Sequence, residues 1–259
     1  MPTLTLPSGD TLFYTQSAPL GDRPPLVLIH GAGGDHLHWP PALRHDKGWP
    51  VLALDLPGHG QSTGAPPTAI AEHGAWLQQW AAALGISSAV WVGHSMGGAI
   101  ALWLALNAPD RVAGLGLVSS AARLKVGTVL LDLLNQPGQS ARLTDLVTAN
   151  SYAPHTPASI LQRARQQLAN VPQPTLRADF VACNAFDTRE HVSAWHGPTL
   201  LLVGELDQMT PPRFSAWLAE QWPQATLVQL PQAGHMLPIE RPAEVTEHIR
   251  AFLQANFAG

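Results

Sequence analysis

Short, nearly uninterrupted apolar segments recur along this chain, and their spacing limits its possible folds more than any other feature. Each is four or five residues long, as expected for strands buried on both faces of a sheet. Segments with helical periodicity lie between several of them. Strand and helix therefore alternate, which predicts an α/β fold with a doubly wound, mostly parallel sheet. The six segments are Leu26–Ile29, Val51–Leu54, Ala89–Val92, Gly114–Val118, Thr199–Val203 and Thr226–Leu230.

Two further apolar segments, Leu4–Leu6 and Leu12–Thr15, lie near the amino terminus. They flank the triplet Ser8-Gly9-Asp10, whose residue types favour a tight turn. We expect an antiparallel hairpin at the edge of the sheet. The predicted sheet then has eight strands, and Gly114–Val118 is the sixth.

The interval from Ser120 to His196 interrupts the alternation of strand and helix. Its 77 residues are too many for a structureless loop within a compact domain. Helical patches punctuated by proline predict a helical cap inserted after the sixth strand. We therefore assign residues 1–119 and 197–259 to an α/β core and residues 120–196 to the cap. The patches are Val126–Leu134, Ala158–Leu168 and Leu176–Cys183, separated by Pro137-Gly138, Pro154 and Pro172-Gln173-Pro174.

Composition excludes several classes of protein. A chain of 259 residues that is 46% hydrophobic buries roughly three quarters of its unfolded surface without disulfides or metals. The single cysteine, Cys183, and the absence of a secretory pattern in Met1–Ala18 predict a cytoplasmic protein, expected as a monomer or homodimer. No apolar run approaches the roughly 20 residues of a membrane span, so we expect no membrane association.

Charge and histidine content point away from nucleic acids and metals. The formal net charge is -4, and two of the 14 basic residues are lysine, so the chain lacks the positive charge that binds phosphate backbones. Twelve histidines are present, but the nearest pair, His36 and His38, belongs to no recognised ligand pattern. We expect no metal site.

The segment Gly93-His94-Ser95-Met96-Gly97 matches the pattern G-x-S-x-G. It follows a predicted strand and precedes a helix-like segment, which is the context that this motif requires. A nucleophile on so sharp a turn has a strained backbone, and small residues two positions away let strand and helix approach. The start of the helix also directs backbone N–H groups toward a developing oxyanion. We therefore predict that Ser95 is a nucleophile.

A serine nucleophile needs a base, and the base needs an orienting carboxylate. His235 lies in the loop after the last predicted strand, and Asp207 and Glu205 follow the preceding one. These loops leave the same edge of a parallel sheet as Ser95. The predicted base is His235. Either carboxylate can serve as the acid from its position after the strand.

Two more motifs support one resemblance. His30-Gly31-Ala32-Gly33-Gly34 resembles the HG-x oxyanion loop of the α/β-hydrolase superfamily, and Asp55-Leu56-Pro57-Gly58-His59-Gly60-Gln61-Ser62 resembles its D-x-x-G-x-G-x-S turn. With Ser95 and the two loops above, the chain resembles this superfamily from Leu4 to Phe257. The resemblance implies the α/β-hydrolase fold and, by chain order, the triad Ser95, Asp207 and His235.

The same resemblance implies an oxyanion hole made by the backbone N–H groups of Ala32 and Met96, with Gly33 as the alternative to Ala32. Other residues near these motifs have less specific expected roles. We expect His30 to orient the oxyanion loop, and Asp55 and Ser62 to form turns. His94 either contacts substrate or packs in the core. Trp39, Met96 and Met236 are pocket candidates for which core packing is the stronger expectation.

The expected reaction is carboxylic ester hydrolysis through an acyl-enzyme, without a cofactor, and the expected partner is a small-molecule ester. Serine in place of aspartate at the turn disfavours dehalogenase and epoxide hydrolase chemistry, according to the resemblance. Lactonase, thioesterase and carbon–carbon bond hydrolase activities remain open. A lyase or perhydrolase use of the scaffold, or a binding protein that retained the pocket, also remains open because fold does not dictate function.

Overall fold

The computed structural model describes residues 3–6, 9–136 and 138–258. Ser8 of the predicted hairpin turn and Pro137 of a predicted helix break lie outside the described residues.

Eight strands form one sheet, as the sequence predicts, in the order β1-β2-β4-β3-β5-β6-β7-β8. The amino-terminal hairpin and the β2–β4 pair are antiparallel, and all other pairs are parallel. All six apolar segments and both hairpin segments therefore lie in strands, with ends shifted by at most two residues. The strands are β1 (Thr3–Thr5), β2 (Thr11–Gln16), β3 (Leu26–Ile29), β4 (Val51–Leu54), β5 (Ala89–His94), β6 (Val112–Val118), β7 (Thr199–Gly204) and β8 (Thr226–Leu230).

Ten α-helices are described, and three short 3₁₀ segments lie at connections between strands and helices. They are α1 (Pro41–Arg44), α2 (Ile70–Ala83), α3 (Met96–Asn107), α4 (Thr128–Asn135), α5 (Ser140–Ser151), α6 (Ala158–Asn170), α7 (Gln173–Ala185), α8 (Pro212–Gln221), α9 (Leu237–Glu240) and α10 (Pro242–Phe257).

Alternating residues along the central strands build two separate cores. In β3, Val27 and Ile29 belong to the core that also contains α2, α3 and α8 residues. Leu26 and Leu28 belong to the other core, with residues of α1 and α10. Successive side chains of a strand point to opposite faces, so a strand that is apolar throughout needs helices on both sides. This arrangement is the doubly wound fold.

Four helices, α4 to α7, lie between β6 and β7, within the interval that the sequence assigns to a cap. We call them the inserted helices. Three coincide with the predicted patches, but α5 was not predicted. Its buried residues are Leu143, Thr144, Thr148 and Ser151, so most of its buried face carries hydroxyls and shows no apolar stripe. A separate cluster of buried side chains joins α4, α5 and α7.

The segment Pro172-Gln173-Pro174 separates α6 from α7 and also begins α7, which starts at Gln173. Proline is tolerated in the first helical turn because the N–H that it lacks has no intrahelical acceptor there. The sequence signal was therefore a helix start as well as a break.

Candidate active site

Ser95 occupies a sharp turn between β5 and α3. Its φ of 52° and ψ of −115° fall in a region that non-glycine residues rarely adopt, at a cost of about 1–3 kcal/mol. Its carbonyl oxygen accepts the Ser120 hydroxyl at 2.8 Å, and its N–H donates to the Val118 carbonyl on β6 at 2.9 Å. The turn is thus held by the neighbouring strand, and the serine lies at the carboxyl edge of the sheet.

Gly93 and Gly97 allow the backbone to make this turn. A Cβ on Gly93 would lie 2.0 Å from the carbonyl carbon of Gly97, and one on Gly97 would lie 2.3 Å from the Ile29 carbonyl oxygen. Both neighbours are backbone atoms, which cannot move aside as a flexible side chain can. The requirement for small residues that the motif predicts is therefore confirmed.

Asp207 and His235, predicted to be acid and base, are in contact. The His235 Nδ1 lies 2.9 Å from one Asp207 carboxylate oxygen and 3.1 Å from the other, and both residues are 3% exposed. Burial alone would raise the pKa of Asp207, but the His235 charge, its hydrogen bond and donors from Thr210 hold that pKa below its ordinary value. With Nδ1–H donated to the carboxylate, Nε2 is the basic nitrogen of the neutral ring.

Glu205, the alternative acid, is exposed and accepts the Gln232 N–H at 2.9 Å. It thus braces the loop that carries His235 without contacting the imidazole. Asp207 is the carboxylate that the fold brings to the predicted base.

Ser95, His235 and Ala32 line one cavity of about 440 Å³. Apolar side chains from all four inserted helices complete its wall, among them Leu130, Leu146, Leu168 and Phe180. Met236 also lines the cavity, whereas Trp39 and Met96 are 1% and 0% exposed and pack in the two cores. The predicted base and nucleophile therefore face the same largely apolar space.

The backbone amides of Met96 and Ala32 are the candidates for stabilising an oxyanion, with Gly33 as the alternative to Ala32. Met96 is the first residue of α3, and the first N–H groups of a helix have no intrahelical acceptor. In the other loop, the Gly33 N–H donates to Asp179 Oδ2 at 2.7 Å. Because Gly33 is engaged in this way, the geometry favours Ala32 over Gly33 as the second donor.

His94 supports the His235 loop, a contact that sequence reasoning did not identify. His94 Nε2 donates to the His235 carbonyl at 2.9 Å. Burial is the main reason that the pKa of His94 falls to about 3, and the nearby His235 lowers it further. His94 is 2% exposed and therefore remains neutral near pH 7.

The inserted helices also hold the His235 loop. The Ser151 carbonyl at the end of α5 accepts the N–H groups of His235 and Met236 at 2.9 and 3.0 Å. The Glu240 carboxylate accepts the Ala153 N–H at 2.9 Å and the Gly234 N–H at 3.1 Å. No motif marks Ser151 or Glu240 in the sequence, because these contacts join distant segments of the chain.

The remaining sequence candidates have structural contacts. His30 Nδ1 donates to the Gly31 carbonyl at 2.8 Å, and its Nε2 accepts the Leu56 N–H, so it holds the loop that the resemblance identifies as the oxyanion loop. Asp55 accepts the Gln61 N–H and the Ser62 hydroxyl donates to the Asp55 carbonyl, which confirms them as turn-formers. His36 is paired with Asp55 at 2.8 Å.

Among residues 3–6, 9–136 and 138–258, no three His, Cys, Asp or Glu side chains are grouped as a metal site would require. Within the same residues, every helix is too short or too polar to cross a membrane.

Comparison with known proteins agrees with this architecture. The family described as alpha/beta hydrolase fold matches residues 24–242. The chain belongs to this α/β-hydrolase family. Membership of this family, together with relatives named as a lipase and an esterase, identifies the chain as a hydrolase.

Three similar proteins illustrate the range of this α/β-hydrolase's relatives. A dihydrolipoyllysine-residue acetyltransferase component of an acetoin cleaving system from Pseudomonas putida is 32% identical over 90% of the chain, which spans 64% of that protein's length. A pimeloyl-[acyl-carrier protein] methyl ester esterase from Neisseria meningitidis is 32% identical, and the match covers 81% of this chain and 85% of that protein's length. The enol-lactonase from Burkholderia xenovorans is 25% identical, with a TM-score of 0.88 over 98% of this chain and 100% of its own.

Replacing Gly93 by alanine tests the close approach of strand and helix. We expect Gly93→Ala to lower the free energy of unfolding by about 2–3 kcal/mol, because the added methyl overpacks against backbone. Urea unfolding measures this loss. Gly21→Ala is the control, since a Cβ there meets nothing within 4 Å; equal losses in the two variants would contradict the account.

The buried His94 predicts a loss of stability in acid. Its folded pKa of about 3 lies below its unfolded value, so the unfolded chain binds the extra proton and stability falls as pH drops from about 6.5 toward 3. We expect His94→Gln to reduce the slope of unfolding free energy against pH by up to about 1.4 kcal/mol per unit between pH 4 and 6. His191→Gln, an exposed histidine, is the control, and an unchanged slope in His94→Gln would contradict the prediction.

Proposed function

We propose that this α/β-hydrolase cleaves carboxylic esters of small to medium size through an acyl-enzyme formed on Ser95. One observation carries the proposal. His235, whose Nδ1 lies 2.9 Å from Oδ2 of the buried Asp207, lines the same apolar cavity as a serine held at φ 52°. A strained, supported serine that shares a cavity with an oriented imidazole is the arrangement that acyl transfer requires.

In the proposed reaction, Ser95 Oγ attacks the ester carbonyl carbon while His235 Nε2 takes the hydroxyl proton. Asp207 keeps the imidazole in the reactive tautomer and stabilises the imidazolium. The negative charge that develops on the carbonyl oxygen is stabilised by the N–H groups of Ala32 and Met96. The intermediate collapses when His235 returns the proton to the leaving alkoxide, so the alcohol departs and the acyl group stays on Ser95.

Water completes the proposed cycle. His235 removes a proton from a water molecule as its oxygen attacks the acyl carbonyl, and the second tetrahedral intermediate releases the acid and restores the Ser95 hydroxyl. The proton that leaves Ser95 with the alcohol is thus replaced by one from the water molecule, and His235 carries both. The reaction as written requires no cofactor.

The cavity supports the substrate class. Ligand pockets span about 300–1,000 Å³, and this one measures about 440 Å³, which favours small to medium esters over polymers. Its apolar wall favours an uncharged acyl or alcohol group. The methyl ester esterase and enol-lactonase relatives support chemistry at an acyl–oxygen bond, and a lactone is a cyclic ester.

A panel of p-nitrophenyl acetate, butyrate and octanoate tests the proposal. We expect the protein to hydrolyse at least one of these esters and Ser95→Ala to reduce kcat/KM by roughly 10³-fold or more, because the nucleophile is lost. Ser87→Ala, an exposed serine outside the cavity, is the control. Lactones and acyl thioesters in the same panel rank the alternatives.

Two outcomes would overturn this proposal. One is that all three esters remain intact with folded protein. The other is that Ser95→Ala and Ser87→Ala hydrolyse them at the same rate as the unaltered chain.

A further inference from the structure

Asp179, on the inserted helix α7, is a buried carboxylate that the proposed reaction does not use. It is 0% exposed, although carboxylates normally lie at the surface. Its Oδ2 accepts the Gly33 N–H at 2.7 Å and lies 2.9 Å from His59 Nε2. One atom of an inserted helix therefore contacts both the predicted oxyanion loop and the turn after β4.

His59 carries the compensating charge. Its Nδ1 lies 3.0 Å from the Pro57 carbonyl and its Nε2 faces Asp179. Both nitrogens face oxygen atoms, and an imidazolium, which carries a hydrogen on each nitrogen, donates to both. Burial disfavours this charge, but Asp179, its hydrogen bond, Pro57 and the more distant Asp55 raise the pKa of His59 above its ordinary value.

The neighbouring histidines leave the positive charge on His59. The rings of His30 and His59 are 4.9 Å apart, and burial together with His59 lowers the pKa of His30 well below its ordinary value. Burial also lowers the pKa of His73 to about 4. These opposite pKa shifts favour the positive charge on His59, the ring that faces Asp179.

These contacts fix the peptide planes on both sides of Ala32. In the plane before it, the Gly31 carbonyl accepts His30 Nδ1–H at 2.8 Å, and a trans peptide directs the Ala32 N–H away from that carbonyl. In the plane after it, Asp179 holds the Gly33 N–H at 2.7 Å. The Gly31 carbonyl also accepts the Gly34 N–H at 3.0 Å, so contacts within the core fix the plane of the Ala32 N–H. The inserted helix fixes the following plane and thereby limits rotation about the backbone bonds of Ala32.

We propose that Asp179 is a positioning residue that holds the Ala32 amide ready for the oxyanion, so that the inserted helix α7 completes the reactive site. This inference rests on the proposed function, in which Ala32 is an oxyanion donor. Asp179 itself touches no reacting atom. It acts through Gly33, and its pairing with His59 keeps the carboxylate in place.

Asp179→Ala and Asp179→Asn test the inference. The measurement is whether each variant changes kcat or KM for p-nitrophenyl butyrate. Removing an oxyanion donor typically costs about 10²–10³-fold in kcat. A donor that is present but misaligned loses part of that factor. We expect kcat to fall roughly 10²-fold in Asp179→Ala and about tenfold in Asp179→Asn, whose amide oxygen still accepts the Gly33 N–H. KM is expected to change by less than about threefold in both.

A transition-state analogue separates positioning from general damage. A trifluoromethyl ketone forms a hemiketal with Ser95, and its oxyanion occupies the position of the reacting carbonyl oxygen. We expect its inhibition constant to rise in parallel with the loss of kcat. Arg177→Ala on the exposed side of α7, where Arg177 donates to Asn135 at 2.8 Å, is the matched control and should leave kcat and the inhibition constant unchanged.

Hydrogen exchange of the Gly33 amide provides a readout that is independent of catalysis. We expect this amide to be protected in the unaltered protein and to exchange at least tenfold faster in Asp179→Ala. If that variant does not fold, the isosteric Asp179→Asn carries the kinetic and exchange tests.

The outcomes keep the two proposals separate. If the unaltered protein hydrolyses esters but both Asp179 variants retain kcat and inhibitor affinity within about threefold, the inference is overturned and the proposed function stands. The same holds if kcat falls equally in Asp179→Asn and Arg177→Ala. If the unaltered protein hydrolyses no ester, the proposed function fails, whatever the exchange of Gly33 shows.

Discussion

The close backbone contact between β5 and α3 is the constraint on which the rest of the molecule depends. Gly93 and Gly97 let strand and helix meet where any side chain would collide with backbone, and Ser95 takes a strained conformation between them. The central strands are buried on both faces and hold that strain. The same turn places the start of α3 beside Ser95. The close contact of strand and helix therefore fixes the positions of both the serine and the Met96 amide.

The inserted helices contribute more than a wall to the cavity. The Ser151 carbonyl at the end of α5 holds the His235 backbone, and Asp179 on α7 holds the Gly33 amide. The two loops that carry the proposed base and the proposed oxyanion donor are thus fastened to two different inserted helices, α5 and α7. The helices that line the cavity therefore also hold the two loops on which the proposed reaction depends.

Features with local causes could be predicted from the sequence. The eight strands follow from apolar runs, and the serine turn follows from its glycines. Contacts between distant segments could not be predicted, since Gly33 and Asp179 are 146 residues apart and His94 and His235 are 141 apart. Helix α5 escaped prediction because Thr144, Thr148 and Ser151 fill most of its buried face. The position after the strand did not separate Asp207 from Glu205. The family resemblance favoured Asp207, and the contact of Asp207 with His235 agrees with that choice.

The most direct test of the central claim is to trap the acyl-enzyme. The protein is mixed with excess p-nitrophenyl butyrate, quenched in acid during turnover, digested and analysed by mass spectrometry. We expect a butyryl group on the peptide that contains Ser95, and we expect it to be lost when the ester is exhausted. A fluorophosphonate, whose phosphonyl adduct on a reactive serine is not turned over, labels a parallel sample. A butyryl group on another residue, or neither a butyryl nor a phosphonyl group on Ser95, would contradict the proposed mechanism.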